Sequence, residues 1–458
     1  MIIQSLKLQN FRRFQSQKFV FNPRFTVLVG RNATGKTQIL DALAIVLGTY
    51  LTKIFRRKTA FRKIAKNEIR CVYHAFSNDS SEIEYRREEQ YPVELDAQIF
   101  FRGQTFTQSC YLGSKTGKTS FGGHTAFLSL AENDADCVSR GQDVSLPLLA
   151  YYGAGRLWQL KRHFDLTPSR LEGYEDSLDP NSDIKGLESW IKKQEIISLQ
   201  KKVTSTSLEL VRQAMIAMIP NCKMLYYDVE LDCINIVFTN EEHCPFQNLS
   251  DGFRCMVSLV ADITRRIITL NPHLGRNALR ETEGVVLIDE IDLHLHPQWQ
   301  RQVVDDLKKV FPKLQFITTT HSPFIIQSLQ EDELIDLERC DGPISQDTET
   351  HDTDKSTIYS QPVPAEQYKG RSLEDIVESI MGIQIPQRSE RFQRMYDTAK
   401  EYYCMLHQQQ HSNPEKKEEL KQKLEELIAP FSDDVAYHAF LEMERLAANC
   451  SSSMEDQK

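Results

Sequence analysis

Four groups of residues in this chain have the types and spacings that handle phosphate. The first is GRNATGKT, which runs Gly30, Arg31, Asn32, Ala33, Thr34, Gly35, Lys36 and Thr37, with Gln38 just beyond. Glycines at its ends let backbone N–H groups turn inward around an anion, and a following helix N-terminus adds positive potential. Lys36 would reach the β- and γ-phosphates of a nucleotide such as ATP, and the Thr37 hydroxyl would ligate Mg²⁺. The second is the acid pair Asp289 and Glu290, which ends the apolar run Val285–Ile288. Asp289 would hold Mg²⁺ through a water, and Glu290 would polarise the attacking water as general base. The third is His321, placed to sense the γ-phosphate. The fourth is NLSDGF, Asn248–Phe253, where Ser250 and Gly252 open a periodic helix. A hydroxyl beside free helix N–H groups is an ordinary N-cap and also a phosphate-binding arrangement.

These groups need elements that bring them to one place. Val285–Ile288 and Leu314–Thr319 are apolar runs without alternation, as in strands buried on both faces of a parallel sheet. Neighbouring strands would then carry Asp289, Glu290 and His321 to one sheet edge, where open α/β sheets bind ligands. Phe25–Val29 is a similar run that leads into the glycine loop, and Ile39–Leu47 carries helical spacing after it. Strand, loop and helix together are the context that the motif requires. A second glycine-lysine stretch, Gly113–Thr119, lacks that context and predicts a hairpin loop. Glu68–Tyr111 alternates and predicts antiparallel hairpins in a small β lobe. Ser145–Tyr152 is a further apolar strand that ends in GAGRLW, with Arg156 a candidate phosphate or inter-subunit contact.

The chain reads as five parts. Residues 1–160 hold the glycine loop and the β lobe, and residues 161–240 a helical insertion with return strands. Residues 241–340 carry the NLSDGF, acid-pair and His321 segments. Residues 341–371 form an acidic, Thr-rich flexible linker, and residues 372–458 are helical. The 458 residues, 40% hydrophobic and 26% charged, are ordinary for a globular protein. A net charge of −9 argues against indiscriminate polyanion binding. No apolar run is expected to reach the roughly 20 residues that cross a bilayer. The ten cysteines form no CxxC pair, as expected of reduced thiols in the cytoplasm. Thr52–Lys66 contains seven basic residues and no acid, with Phe55 and Phe61 interleaved. It is either a solvated helix face or a surface for a phosphate backbone. His294 and His296 suit an interface or packing role better than a metal site, because no third ligand lies nearby.

GRNATGKT, NLSDGF, VVLIDEID and TTTHS stand in the order of Walker A, signature motif, Walker B with D-loop, and H-loop. With the opening LKLQNFRRF, this resembles the SMC and RecF-like branch of ABC-type P-loop NTPases. The implied fold is α/β, with a mixed sheet, an antiparallel β lobe, a short helical insertion and a C-terminal helical appendix. The resemblance implies a homodimer in which Ser250 and Gly252 of one subunit close the other subunit's ATP site, with Asp292 nearby. A closer set, LPLLAYYGAGRLW, NLSDGFRCMVSLVADITRR, IDEIDLHLHPQWQR and FITTTHSPFIIQSL, resembles the ATPases of bacterial anti-phage defence of the Septu and retron type. Such proteins act with an HNH endonuclease encoded alongside. Contact with DNA, or with a retron reverse transcriptase and its msDNA, would follow from the same likeness, as would further oligomerisation. That branch carries a Gln at the end of the strand after the β lobe. Here the strand ends in Tyr-Tyr-Gly, flanked by Gln142 and Gln159. The alternatives are a RecF-like repair ATPase and an OLD-type nuclease. The latter needs a DxD pair after a strand, and Asp352-Thr-Asp354 has no apolar run before it.

Overall fold

In this computed structural model the chain is described at residues 1–55, 62–77, 83–123, 125–155, 169–180, 186–202, 205–330, 332–338, 358–360 and 372–381. It opens on a hairpin, β1 (Ile2–Phe11) and β2 (Phe14–Val20), and continues through β3 (Phe25–Val29) into helix α1 (Lys36–Phe55). Two antiparallel pairs follow: β4 (Cys71–Ser77) with β5 (Ile83–Glu89), and β6 (Val93–Phe101) with β7 (Gln104–Leu112). β8 (Ser120–Gly123), α2 (Thr125–Ser139) and β9 (Leu148–Tyr152) complete the first half. An insertion is built from α3 (Gly186–Lys201), α4 (Thr206–Met218), β10 (Cys222–Asp228), β11 (Cys233–Phe238) and β12 (His243–Pro245). Then come α5 (Asp251–Leu270), α6 (Ala278–Glu281), β13 (Gly284–Ile288), α7 (Pro297–Gln300), α8 (Val303–Val310) and β14 (Leu314–Thr319). The last described elements are α9 (Pro323–Gln327), β15 (Leu334–Asp336), β16 (Ile358–Ser360) and α10 (Leu373–Ser379).

The apolar runs without alternation become the central sheet. Its five strands lie in the order β15-β3-β14-β13-β9, and every pairing is parallel. Each strand is buried along its whole length, as a sheet covered on both faces requires. Because the strands are parallel, their C-terminal ends share one edge. That edge carries Gly30, Gly153, Asp289, Thr320 and Leu337, the residues that follow β3, β9, β13, β14 and β15.

α1 packs against β6 and β7 on one side and against β13 and β14 on the other. This position explains why it is apolar nearly all round. By length and composition it could cross a membrane, contrary to the expectation from the sequence, but 78% of its apolar window is buried inside the fold.

The alternating segments pair differently from the expected small lobe. β6, β7 and β8 join the N-terminal hairpin in a six-stranded sheet of order β16-β2-β1-β6-β7-β8, while β4 and β5 form a separate ribbon. Alternation marks each strand but does not name its edge partner. β16 lies inside the stretch expected to be a flexible linker and pairs parallel to β2. Gly113–Thr119 is the loop between β7 and β8, as its lack of context predicted. The insertion has its own core, where Ile191, Leu208, Val211, Met215, Ile234 and Ile236 meet Val257 and Ala261 of α5.

The chain divides into two compact units, Met1–Ile376 and Val377–Lys458. The helices expected from Ser389, Asn413 and Ser432 onward lie outside the described residues, as do Arg156, Gln159 and the acidic stretch after Asp341.

Candidate functional site

The glycine loop has the backbone that its residue types predict. Gly30 has φ +145° and Gly35 has φ +99°, both in the region that favours glycine. A Cβ on Gly35 would stand 2.5 Å from the Phe14 ring, so the loop is seated against the β1–β2 turn. Ala33 also has a positive φ, of 67°. Lys36, the first residue of α1, folds its ammonium back over the loop and donates to Gly30 O at 2.6 Å and Arg31 O at 3.0 Å. Burial pulls the Lys36 ammonium below its usual range, while the carboxylates of Asp289, Glu290, Glu338 and Asp292 oppose that shift. A cation held over a loop of backbone amides and surrounded by acids is placed to receive a polyphosphate with its metal.

The metal-side residues are together. Thr37 Oγ1 lies 3.0 and 3.2 Å from the two carboxylate oxygens of Asp289. Thr319 Oγ1 donates to Asp289 Oδ1 at 2.7 Å and accepts from the Glu290 N–H at 2.7 Å. A single hydroxyl thus ties the Asp289 carboxylate to the backbone of Glu290. Glu290 has φ 50°, so the chain turns sharply out of β13 at the residue expected to act as base. Thr37 and Asp289 supply hard oxygen ligands side by side, and that donor set fits a Mg²⁺ that keeps waters and phosphate oxygens as its other ligands. Among the described residues no group of three or more His, Cys, Asp or Glu could hold a metal alone. His296 instead caps α7, accepting from the Gln298 N–H at 3.3 Å.

His321 is exposed just past the end of β14, the strand that pairs with β13. Asp292 accepts from Thr320 Oγ1 at 2.5 Å, which ties the segment after Glu290 to the residue before His321. Of the loop residues, Arg31, Asn32, Ala33 and Thr37 are exposed, while Thr34, Gly35 and Lys36 are buried. Ser250 and Gly252, grouped by the motif, separate here. Ser250 is exposed at the N-cap of α5, and its side chain makes no capping bond. Gly252 is buried, and a Cβ there would stand 2.0 Å from His294 O. Its glycine is therefore required by close approach of the D-loop backbone in the same chain.

The structure adds residues to which the sequence assigned no role. Arg13 Nη1 donates to Ala33 O at 3.0 Å, and its N–H reaches Gln38 Oε1 at 3.4 Å, bracing the loop from the β1–β2 turn. Glu338, just past β15, accepts from the Arg31 N–H at 2.7 Å. The doubled Arg of FRRF was the visible signal for Arg13, and Glu338 had none. In the described part of the basic stretch, charges are held in ion pairs rather than left on a solvated helix face. Arg62 pairs with Asp41 and Glu68 at 2.6 Å, and Lys53 with Glu132 at 2.6 Å. Arg12 joins the same acids, at 2.7 Å from Asp41 and 2.8 Å from Glu68. Arg56, Arg57, Lys58 and Phe61 lie outside the described residues.

Comparison with known proteins agrees with this geometry. Residues 5–214 match a family model described as "AAA domain". Residues 155–327 match a second, described as "AAA domain, putative AbiEii toxin, Type IV TA system". The chain is 27% identical to the Retron Vc95 probable ATPase of Vibrio cholerae, over 72% of each chain. It is 24% identical to the Septu protein PtuA of Bacillus thuringiensis, over 84% of this chain and 85% of that one. Over most of its length the chain is thus similar to proteins named as ATPases of retron and Septu systems, and it carries AAA-domain matches. Its fold is α/β, with the glycine loop after β3 and the acid pair at the end of β13 of one parallel sheet. Among solved structures, the SMC head domain from Thermotoga maritima matches with a TM-score of 0.40 at 14% identity, over 73% of this chain and 94% of that one.

Proposed function

We propose that this chain is the ATP-binding and ATP-hydrolysing subunit of an anti-phage defence system of the Septu or retron type. It works in the cytoplasm and does not itself cut nucleic acid. Cutting belongs to an HNH endonuclease encoded alongside. The observation that carries the enzymatic part is the cluster of Thr37, Asp289, Thr319 and the Glu290 N–H at the mouth of a loop that Lys36 closes. In that cluster Lys36 meets the phosphates, and Thr37 and Asp289 hold Mg²⁺. Glu290 polarises water, and His321 senses the γ-phosphate from the next strand. The exposed Ser250, with its uncommitted cap, supports a composite site in which two copies sandwich two nucleotides. The likeness to the Septu and retron ATPases over most of the chain supports the defence assignment.

Three experiments test the reading. Lys36→Ala should abolish binding of a fluorescent ATP analogue, and unchanged affinity would remove the site assignment. Glu290→Gln should trap an ATP-bound dimer, seen as a doubling of mass by light scattering. Absence of that shift at saturating ATP would remove the sandwich. Co-expression with the neighbouring reading frame, pull-down and a nuclease assay with and without ATP then test the partner.

A further inference from the structure

We propose that Tyr152 is a positioning residue that sets the signature helix against the metal-side acid within one chain. Closure of the composite site depends on its hydroxyl, whereas nucleotide binding to the P-loop does not. The proposal rests on the two-copy ATP site proposed above.

Tyr152 is the last residue of β9 and lies opposite Ile288 in the parallel pairing with β13. Its two ends engage two different motifs. Its backbone carbonyl accepts from the Asp289 N–H at 2.8 Å. Its fully buried phenol points to the signature helix α5 and donates to Asp262 Oδ2 at 2.8 Å. Asp262 is also held by Arg265 Nη2 at 2.7 Å and by Arg266 Nε at 2.7 Å. Arg266 in turn donates to Gly173 O at 3.0 Å and Glu175 O at 2.8 Å.

Two guanidiniums already neutralise one carboxylate, so the phenol is not needed for charge balance. A third donor adds direction, since it ties the carboxylate, and with it the helix, to the end of the Walker B strand. A Phe would fill the same volume. The hydroxyl is therefore explained by its bond, because an unpaired buried hydroxyl is costly. Ser250 stands at the N-cap position of the same helix, about 18 Å along its axis from Asp262 at 1.5 Å per residue. An α-helix of 20 residues moves as a rod, so a tilt allowed at Asp262 is magnified at Ser250. Ser250 must meet a nucleotide held by another copy, and its placement matters most there.

The test uses the full-length chain in the Glu290→Gln background. Tyr152→Phe should leave affinity for the fluorescent ATP analogue within about twofold of the parent. It should weaken ATP-dependent dimerisation by about tenfold, equivalent to about 1.4 kcal/mol. In the otherwise native chain, kcat should fall by a similar factor with KM unchanged. Tyr50→Phe is the control. It also loses a buried phenol-to-carboxylate bond, Tyr50 Oη to Asp134 Oδ2 at 2.6 Å, but between α1 and α2. It should lower the thermal midpoint by a similar amount and leave dimerisation intact. Equal closure by Tyr152→Phe and its parent, or equal loss in both tyrosine variants, overturns the proposal. Failure of the Glu290→Gln parent itself to dimerise overturns the two-copy reading and this inference together.

Discussion

Two buried aspartates, Asp262 on α5 and Asp289 just past β13, are linked through β9 and are treated in opposite ways. Asp262 is gripped by Arg265, Arg266 and the Tyr152 phenol. Asp289 is met by the hydroxyls of Thr37 and Thr319. A guanidinium is a permanent cation with no acceptor to offer, so the Asp262 cluster is a fixed tether. A threonine hydroxyl can donate to a carboxylate and then turn a lone pair toward a metal, so the Asp289 cluster can change partners without rebuilding. The contrast separates a carboxylate that holds the scaffold from one that is available to chemistry.

The sharpest way to break this contrast is to delete each carboxylate. Asp262→Ala leaves two guanidiniums buried without their counter-ion and should cost about 3–5 kcal/mol of stability, read by denaturant titration. A loss below about 1 kcal/mol would mean that the cluster is no tether. Asp289→Asn should fold with little change, because hydroxyls can also donate to an amide oxygen. Its nucleotide affinity should lose most of its Mg²⁺ response, a change of about tenfold in calorimetry with and without the metal. A Mg²⁺ response equal to the native chain's would move the metal away from Asp289.

The smallest effect should appear in alkali. Burial, with the nearby Asp262 carboxylate, pushes the Tyr152 phenol well above its usual value of 10.0. A raised folded-state value gives stability that is complete below the unfolded value and is lost as pH rises above it toward the folded one. The buried Cys110 thiol, pushed up to about 12 from 9.0 chiefly by burial, acts in the same direction. Stability should therefore fall between about pH 9 and about pH 12. Hydrogen exchange should show the C-terminal half of α5 loosening before the end of β14, where Thr319 meets Asp289 through a hydroxyl that does not titrate there. Loosening in the reverse order would count against the tether.

The candidate site was largely legible because its parts are local. GRNATGKT is eight consecutive residues between a strand and a helix, and it contains Lys36's own partners, Gly30 and Arg31. The acid pair ends a strand whose apolar run is visible by inspection. Residues that act on the site from far along the chain were not legible. Arg13 reaches the loop from the β1–β2 turn, Glu338 from beyond β15, and Thr319 from the strand beside Asp289. The Thr run before His321 was plain, but the hydroxyl that would face Asp289 was not. The pairing within the basic stretch was hidden for the same reason. Charge on Arg62 is invisible as an internal pair until Asp41 and Glu68 fold against it.

By itself the sequence determined which residues could hold a triphosphate and its metal, and which strands had to be buried, since loop geometry and apolar runs act over a few neighbouring residues. Only the tertiary structure decided which alternating strands share a sheet and that Gly252 is a glycine for the sake of His294 O. It alone joined Tyr152 to Asp262, 110 residues apart. Backbone close approach and buried ion pairs depend on which surfaces meet after folding, and no spacing along the chain records that.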